Sequence, residues 1–269
     1  MGLISSRIKC HIASRAFTVL ELMLSLFVIT IIVLLGKKLI SLAADSNRSI
    51  DETRIICKEL NDILTCLGDD LKSTVLLDKR QPIFEICKHE GENRFKLFFF
   101  TTNSEQHTTA AVKYDVVELE FGKLEVSRTI LDNSATLSLQ KLLVQNYSME
   151  KFFEDVDAEG KHTRKFSIPL ADFKIRVAIK MHDRDTISLA PNTKMIYSGD
   201  MVSYDKNGKC VIVKGNLSFF DVTLRALGKT DGAKLHALAA KDMTKAKDFL
   251  IFYARSSFAR ITPNSVPFP

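Results

Sequence analysis

Residues 14–35 read Ser14-Arg-Ala-Phe-Thr-Val-Leu-Glu-Leu-Met-Leu-Ser-Leu-Phe-Val-Ile-Thr-Ile-Ile-Val-Leu-Leu35, preceded by a short basic leader carrying Arg7 and Lys9. From Phe17 to Leu35, 19 residues pass without Lys, Arg, Asp, Pro or Gly. A helix there rises ~1.5 Å per residue and spans roughly 29 Å, about the thickness of a bilayer's hydrocarbon core. Glu21 is the anomaly, a lone acid near the start of this segment. An ionisable group at membrane depth costs at least ~2.5 kcal/mol, so it needs a partner. A secretory signal peptide fits less well, because its apolar core is shorter and ends in an Ala-x-Ala-like site. Here the core leads into Gly36-Lys-Lys38. With Arg7, Lys9 and Arg15 before the segment and Lys37 and Lys38 after it, the positive-inside count favours a cytoplasmic N-terminus only slightly.

The helical pattern continues past the apolar segment. Leu39, Leu42, Ile50, Ile56, Leu60, Ile63, Leu64, Leu67 and Leu71 recur largely at spacings of three and four, with Asp45, Arg48, Asp51, Arg54, Lys58, Asp62 and Asp69 between them. This is an amphipathic stripe, and no Pro interrupts it before Pro82. The expectation is one helix from Phe17 to about Leu76, ~90 Å long. Its apolar half lies in lipid, and its amphipathic half packs through Ile56, Leu60, Ile63, Leu67 and Leu71 on a soluble domain. Gly68 costs ~1 kcal/mol against Ala and is expected to mark a bend or an early end.

Beyond Pro82 the pattern changes to strands. Arg94–Thr101 is aromatic-rich with partial alternation, and its Phe98–Phe100 run reads as core inside a strand. Residues 111–121 and 124–130 flank Gly122-Lys123 and read as a hairpin. Residues 201–213 form a second hairpin around Asn207-Gly208. Asp172–Met181 and Gly215–Arg225 are further strands, Ala233–Lys247 reads as a helix, and Phe249–Ala254 onward as a last strand. The tail 262–269 is rich in Pro and expected to be disordered. The class is therefore α+β, a long N-terminal helix packed on antiparallel sheet.

The start of the chain resembles the processing site of type IV prepilins and type II secretion pseudopilins: basic leader, small residue, Phe, and Glu as fifth residue of the mature chain. Ala16 stands at the small position, where the family usually has Gly; Phe17 and Glu21 match. The resemblance implies a prepilin peptidase that cuts after Ala16 and methylates the amine of Phe17. It implies that Glu21 neutralises the N-terminal amine of a neighbouring subunit, and that the fold is pilin-like. A narrower resemblance joins Val112-Lys-Tyr114, Gly122-Lys-Leu124 and Ser127-Arg128 to the hairpin of J-type minor pseudopilins. Leu142–Val144, Phe152–Asp155 and Glu159-Gly160 resemble the strand and turn that follow it.

The implied organisation is a leader at 1–16, a transmembrane half-helix at 17–38, an amphipathic half at 39–76, a periplasmic β-rich domain at 77–261 and the tail. The implied location is the bacterial inner membrane, single-pass, with the C-terminal domain periplasmic. The implied partners are the peptidase, other pseudopilins or pilins, and membrane lipid. Two rivals stay open: a minor pilin of a type IV pilus, used in adhesion, motility or DNA uptake, and a signal-anchored periplasmic enzyme.

The formal charge of the 269 residues is +6. Three basic residues lie in the leader, so the mature chain carries near +3, too little to argue for nucleic acid. Cys57, Cys66, Cys87 and Cys210 follow the membrane segment and permit disulfides in an oxidising compartment. Cys57 and Cys66 cannot pair with each other on one helix, being ~13.5 Å apart along its axis. Buried unpaired thiols are the equal alternative. The six histidines show no His-x-x-x-His spacing, so no metal is expected, and no nucleotide or hydrolase motif appears. Asp155, Asp157 and Glu159 read as a solvated acidic turn rather than a calcium loop. Lys241, Lys245 and Lys247 read as a solvated helix face. No cofactor and no enzyme are expected.

Overall fold

The computed structural model describes residues 18–75, 82–88, 95–103, 108–145, 147–166, 170–181, 187–189, 194–198, 201–206 and 209–263. The chain is α+β. In order, α1 spans Val19–Lys72, β1 Pro82–Lys88, β2 Phe95–Asn103, β3 Thr108–Glu120 and β4 Lys123–Leu131. Then come α2 Asn133–Leu143, α3 Met149–Asp155, a 3-10 turn at Ala158–Gly160, β5 Lys161–Lys165 and β6 Asp172–Lys180. After these follow β7 Ile187–Leu189, β8 Lys194–Ser198, β9 Met201–Lys206, β10 Lys209–Lys214 and β11 Asn216–Ala226. The last are α4 Lys229–Ala239, α5 Met243–Tyr253 and β12 Arg255–Ile261. The chain divides into two compact units after Asp51.

Among the described residues of the second unit the strands form two antiparallel sheets. One has eight strands in the order β10-β9-β8-β1-β2-β3-β4-β5, the other four in the order β12-β11-β6-β7. Their inner faces and the C-terminal part of α1 share one core. Phe84, Leu97, Phe99, Val112, Val116 and Met195 come from the large sheet; Ile175, Val177, Phe220, Val222 and Leu224 come from the small one. From α1 the stripe Ile56, Leu60, Ile63, Leu64, Leu67 and Leu71 enters, as its spacing predicts. Asn61 and Gly68 meet Ser257 and Ile261 of β12. Asp70, on the opposite side of the helix, meets the large sheet. A helix contacted on two sides must bury a wide stripe. Leu60 is 1 % exposed, and truncating such a Leu costs about 2–5 kcal/mol. A fragment starting at Ala44 is therefore expected to fold as an α+β unit, and Leu60→Ala to lower its unfolding free energy by that amount in urea titration. An unchanged midpoint would make the helix a free stalk.

The outer face of the large sheet is also covered. Phe98, Phe100 and Ala111 pack under Leu139, Leu143, Met149, Phe152 and Phe153 of α2 and α3. A sheet covered on both faces has no solvent side, so the whole Phe98–Phe100 run is buried rather than alternating. The hairpin β3–β4 turns at Phe121-Gly122. Gly122 has φ 73°, and a Cβ there would collide with Leu235 of α4, so both conformation and space call for glycine.

Several local expectations are corrected. α1 runs through Gly68 without breaking and ends at Lys72 rather than Leu76. It ends because Ser73–Val75 turn to pair with β2: Val75 N–H donates to Phe100 O and Thr102 N–H to Ser73 O. Leu142–Val144 is no strand; it ends α2, which Asp132 caps by accepting from Ala135 N–H at 2.7 Å. Phe152–Asp155 belongs to α3. Ala233–Lys247 is not one helix but parts of two, because Asp242 accepts from the N–H groups of Thr244 and Lys245 and starts α5. Phe249–Tyr253 closes that helix, and the last strand begins only at Arg255. In the expected Asn-Gly hairpin, β9 and β10 pair from Met201–Lys214 to Lys206–Lys209; its turn residues, residues 77–81 and residues 264–269 lie outside the described ones.

Candidate functional site

In the first unit the described residues are one helix segment, and none of its side chains is buried. It is long and apolar enough to cross a membrane, with a mean hydropathy of 2.7 in its most apolar window. Leu20, Leu24, Phe27, Ile32 and Leu35 are each more than half exposed, a surface that requires lipid or other helices around it. Two hydroxyls of its apolar run bond back to the helix. Ser25 Oγ donates to Glu21 O at 2.8 Å and Thr30 Oγ1 to Leu26 O at 2.7 Å. Within the apolar run 19–35, the carboxylate of Glu21 is the one charged group.

Glu21 has a local duty. Thr18 Oγ1 accepts from Glu21 N–H at 3.3 Å, and Glu21 Oε2 accepts from Thr18 N–H at 3.0 Å and from its hydroxyl at 3.2 Å. This reciprocal pair is a capping box, which satisfies helix donors that have no intrahelical partner. All three bonds involve Oε2 or the amide, and Oε1 has no partner among the described residues. One carboxylate can therefore cap its own helix and still accept from a cation. The Thr-x-x-Glu spacing before an apolar run was the sequence signal for this box. Ala16 and Phe17, the expected processing pair, lie outside the described residues.

The second unit holds a buried polar clasp on α1. Asp70 is 7 % exposed. Arg128 of β4 grips it bidentately, Nε to Oδ2 and Nη2 to Oδ1, both at 2.6 Å. Tyr114 of β3, the cross-strand partner of Arg128, donates its hydroxyl to Oδ2 at 2.6 Å. Thr101 of β2 donates to Asp70 O at 3.0 Å. Three adjacent strands thus hold one helical residue. Burial and the charge of Asp70 push the Tyr114 phenol well up. Burial alone would lower Arg128, but its bonds to Asp70 outweigh that and raise it. Tyr114 and Arg128 belong to the hairpin motif quoted above. Asp70 did not stand out in the sequence, although it sits three residues after Leu67 and seven after Ile63, on the apolar stripe. An acid at a stripe position needs a buried partner, and that was the available signal.

Two further charged groups, Lys96 and Glu85, are buried on the outer side of the large sheet and paired at its surface. Lys96 donates to Glu150 at 2.6 Å and Glu154 at 3.0 Å, fastening α3. Glu85 pairs with Lys194 at 2.6 Å. Burial, then the neighbouring Glu85, raise the Cys87 thiol far from nucleophilic character. Cys57 and Cys210 are exposed, Cys66 is half-buried beside Tyr114, and all four cysteines are free thiols. Among the described residues no group of three or more His, Cys, Asp or Glu could hold a metal. Asp155 accepts from the Tyr147 hydroxyl at 2.7 Å. The chain matches no family model, and comparison with curated proteins and with solved structures finds no match either.

Proposed function

We propose that the chain is a pilin-like structural subunit of an inner-membrane-anchored pseudopilus acting in type II protein secretion. One observation carries this reading. A helix whose apolar part is uncovered on every side among the described residues bears a single carboxylate with one oxygen unengaged among them, and the same helix continues into the core of an α+β unit. Such a helix waits in lipid as a monomer and packs with sister helices in a filament. The amine of a neighbour's Phe17 then meets the Glu21 carboxylate. In a desolvated bundle any other axial stagger leaves a charge unpaired, so the pair fixes register. The prepilin peptidase, the other pseudopilins and the lipid are the partners this reading requires, with the α+β unit in the periplasm. The Asp70 clasp serves the same end, because a subunit held by its helix must have its folded unit fastened to that helix.

Processing tests the reading. In cells with an active prepilin peptidase, mass spectrometry of the purified chain is expected to find N-methyl-Phe17 as the first residue. An intact leader under those conditions would contradict it.

A further inference from the structure

A cavity of about 550 Å³ opens between α1 and α4 within the second unit. Ile55 and Ile56 of α1 form one wall. Leu227, Gly228 and Gly232 form the other, and His236 extends it at the same four-residue spacing. Glu120 holds His236 there at 2.8 Å. The stretches that line the cavity, 52–56, 120–123 and 227–236, are described throughout. Ile56 is buried, whereas Ile55 is 58 % exposed.

Three glycines line this cavity, and two of them answer to the fold. Gly122 has a positive φ, and a Cβ on Gly228 would lie 2.8 Å from Glu52 Oε2. Gly232 is different. It lies inside α4, and no atom of the described residues comes within 4 Å of a Cβ placed there. A glycine inside a helix is unfavourable against alanine. One that its own fold does not require points to close approach by another backbone.

The exposed part of α1 carries a matching surface. Seated in lipid over its apolar run, the helix leaves Lys37 and Lys38 at the interface and the next turns in water. Leu39 and Ile40 on those turns are nevertheless more than half exposed. Ala43 and Ala44 share their face at spacings of three and four, and small residues let a second helix come close.

We propose that the cavity receives residues 39–44 of α1 from a second copy of this chain. The proposal rests on the filament reading and specifies a contact within it. Pairing of Glu21 with a neighbour's Phe17 staggers copies by about four residues, roughly 6 Å. Three such steps make roughly 18 Å, or about twelve residues, which sets residues 39–44 of one copy level with residues 51–56 of another. Leu39 and Ile40 then enter the apolar cavity, and Ala43 and Ala44 lie against Gly228 and Gly232.

The test places the photo-cross-linker p-benzoylphenylalanine at Ile40 of the full chain, in cells with an active prepilin peptidase and the other pseudopilins, and maps adducts by mass spectrometry. The expected adduct joins two copies of the chain, at residues 52–56 or 228–236. Gly232→Phe fills the cavity from a position with room for a side chain. It is expected to reduce that adduct at least tenfold, with an unchanged or raised melting temperature for the purified chain in detergent. Ala237→Phe, on α4 but off the cavity, is expected to leave the adduct as it was. Consider a chain that carries N-methyl-Phe17 and enters filaments. No such adduct, an adduct at other residues, a lipid adduct in its place, or an equal yield in Gly232→Phe would overturn the docking and leave the filament reading standing. A chain neither processed nor incorporated would overturn both.

Discussion

Asp70→Ala is expected to lower the unfolding free energy by about 3–5 kcal/mol, because it leaves Arg128 charged and Tyr114 undischarged of its proton donor role in a place with little water. That is a large share of the ~5–15 kcal/mol a domain has. Replacing both ends with apolar groups, Asp70→Leu with Arg128→Met, is expected to recover most of the loss, since the penalty comes from the orphaned charge and not from the absence of the pair. Denaturant titration of the Ala44 fragment reads both. A loss below about 1 kcal/mol for Asp70→Ala would mean a solvent-screened pair and would remove the clasp from the account. The pH dependence has a definite sign. Tyr114 and Arg128 both have raised values in the fold, so their contribution is complete below the ordinary tyrosine range and fades only as pH rises through the higher folded values. The clasp is intact throughout the neutral range.

The long helix was legible because its signals are local. Apolar length, the three-and-four spacing and the absence of Pro each report on neighbours along the chain. Hairpins β3–β4 and β9–β10 were legible for the same reason. What was hidden is non-local or competitive. β1 and β8 pair across more than a hundred residues, with Phe84 opposite Tyr197 and their rings 5.4 Å apart; no short window contains that contact. Phe249–Tyr253 has strand-like composition, yet a cap at Asp242 carries the helix through it, and Phe249 stacks on Tyr253 one turn later. The strand that the resemblance implied at Leu142–Val144 is a helix end instead, because Asp132 caps a helix that runs through Leu143. Half of the candidate site was visible. Glu21 stood out as a charge in an apolar run, whereas Asp70 was one acid among many until the fold set Tyr114 and Arg128 against it.

Glu21 caps its helix, and in the proposed assembly its charge would also answer a neighbouring amine; one substitution confounds the two, and separating them gives the second large expected effect. Glu21→Ala is expected to leave processing and membrane insertion intact and to impair incorporation into filaments, but it also deletes the capping box, a loss of about 1 kcal/mol. Glu21→Gln keeps a side-chain acceptor for Thr18 N–H, as glutamine also serves in capping boxes, and removes only the charge. Thr18→Ala does the reverse, breaking the box while the carboxylate stays. If the carboxylate answers the amine of a neighbouring Phe17, its charge is what assembly requires.

The most direct measurement is therefore incorporation of Glu21→Gln and Thr18→Ala subunits into assembled pseudopili, quantified by immunoblot of the isolated filament fraction against the membrane pool in cells that process both normally. The account predicts that Glu21→Gln stays in the membrane pool while Thr18→Ala enters filaments close to the unsubstituted level. Incorporation of Glu21→Gln at the unsubstituted level would contradict it and leave Glu21 as a helix cap alone.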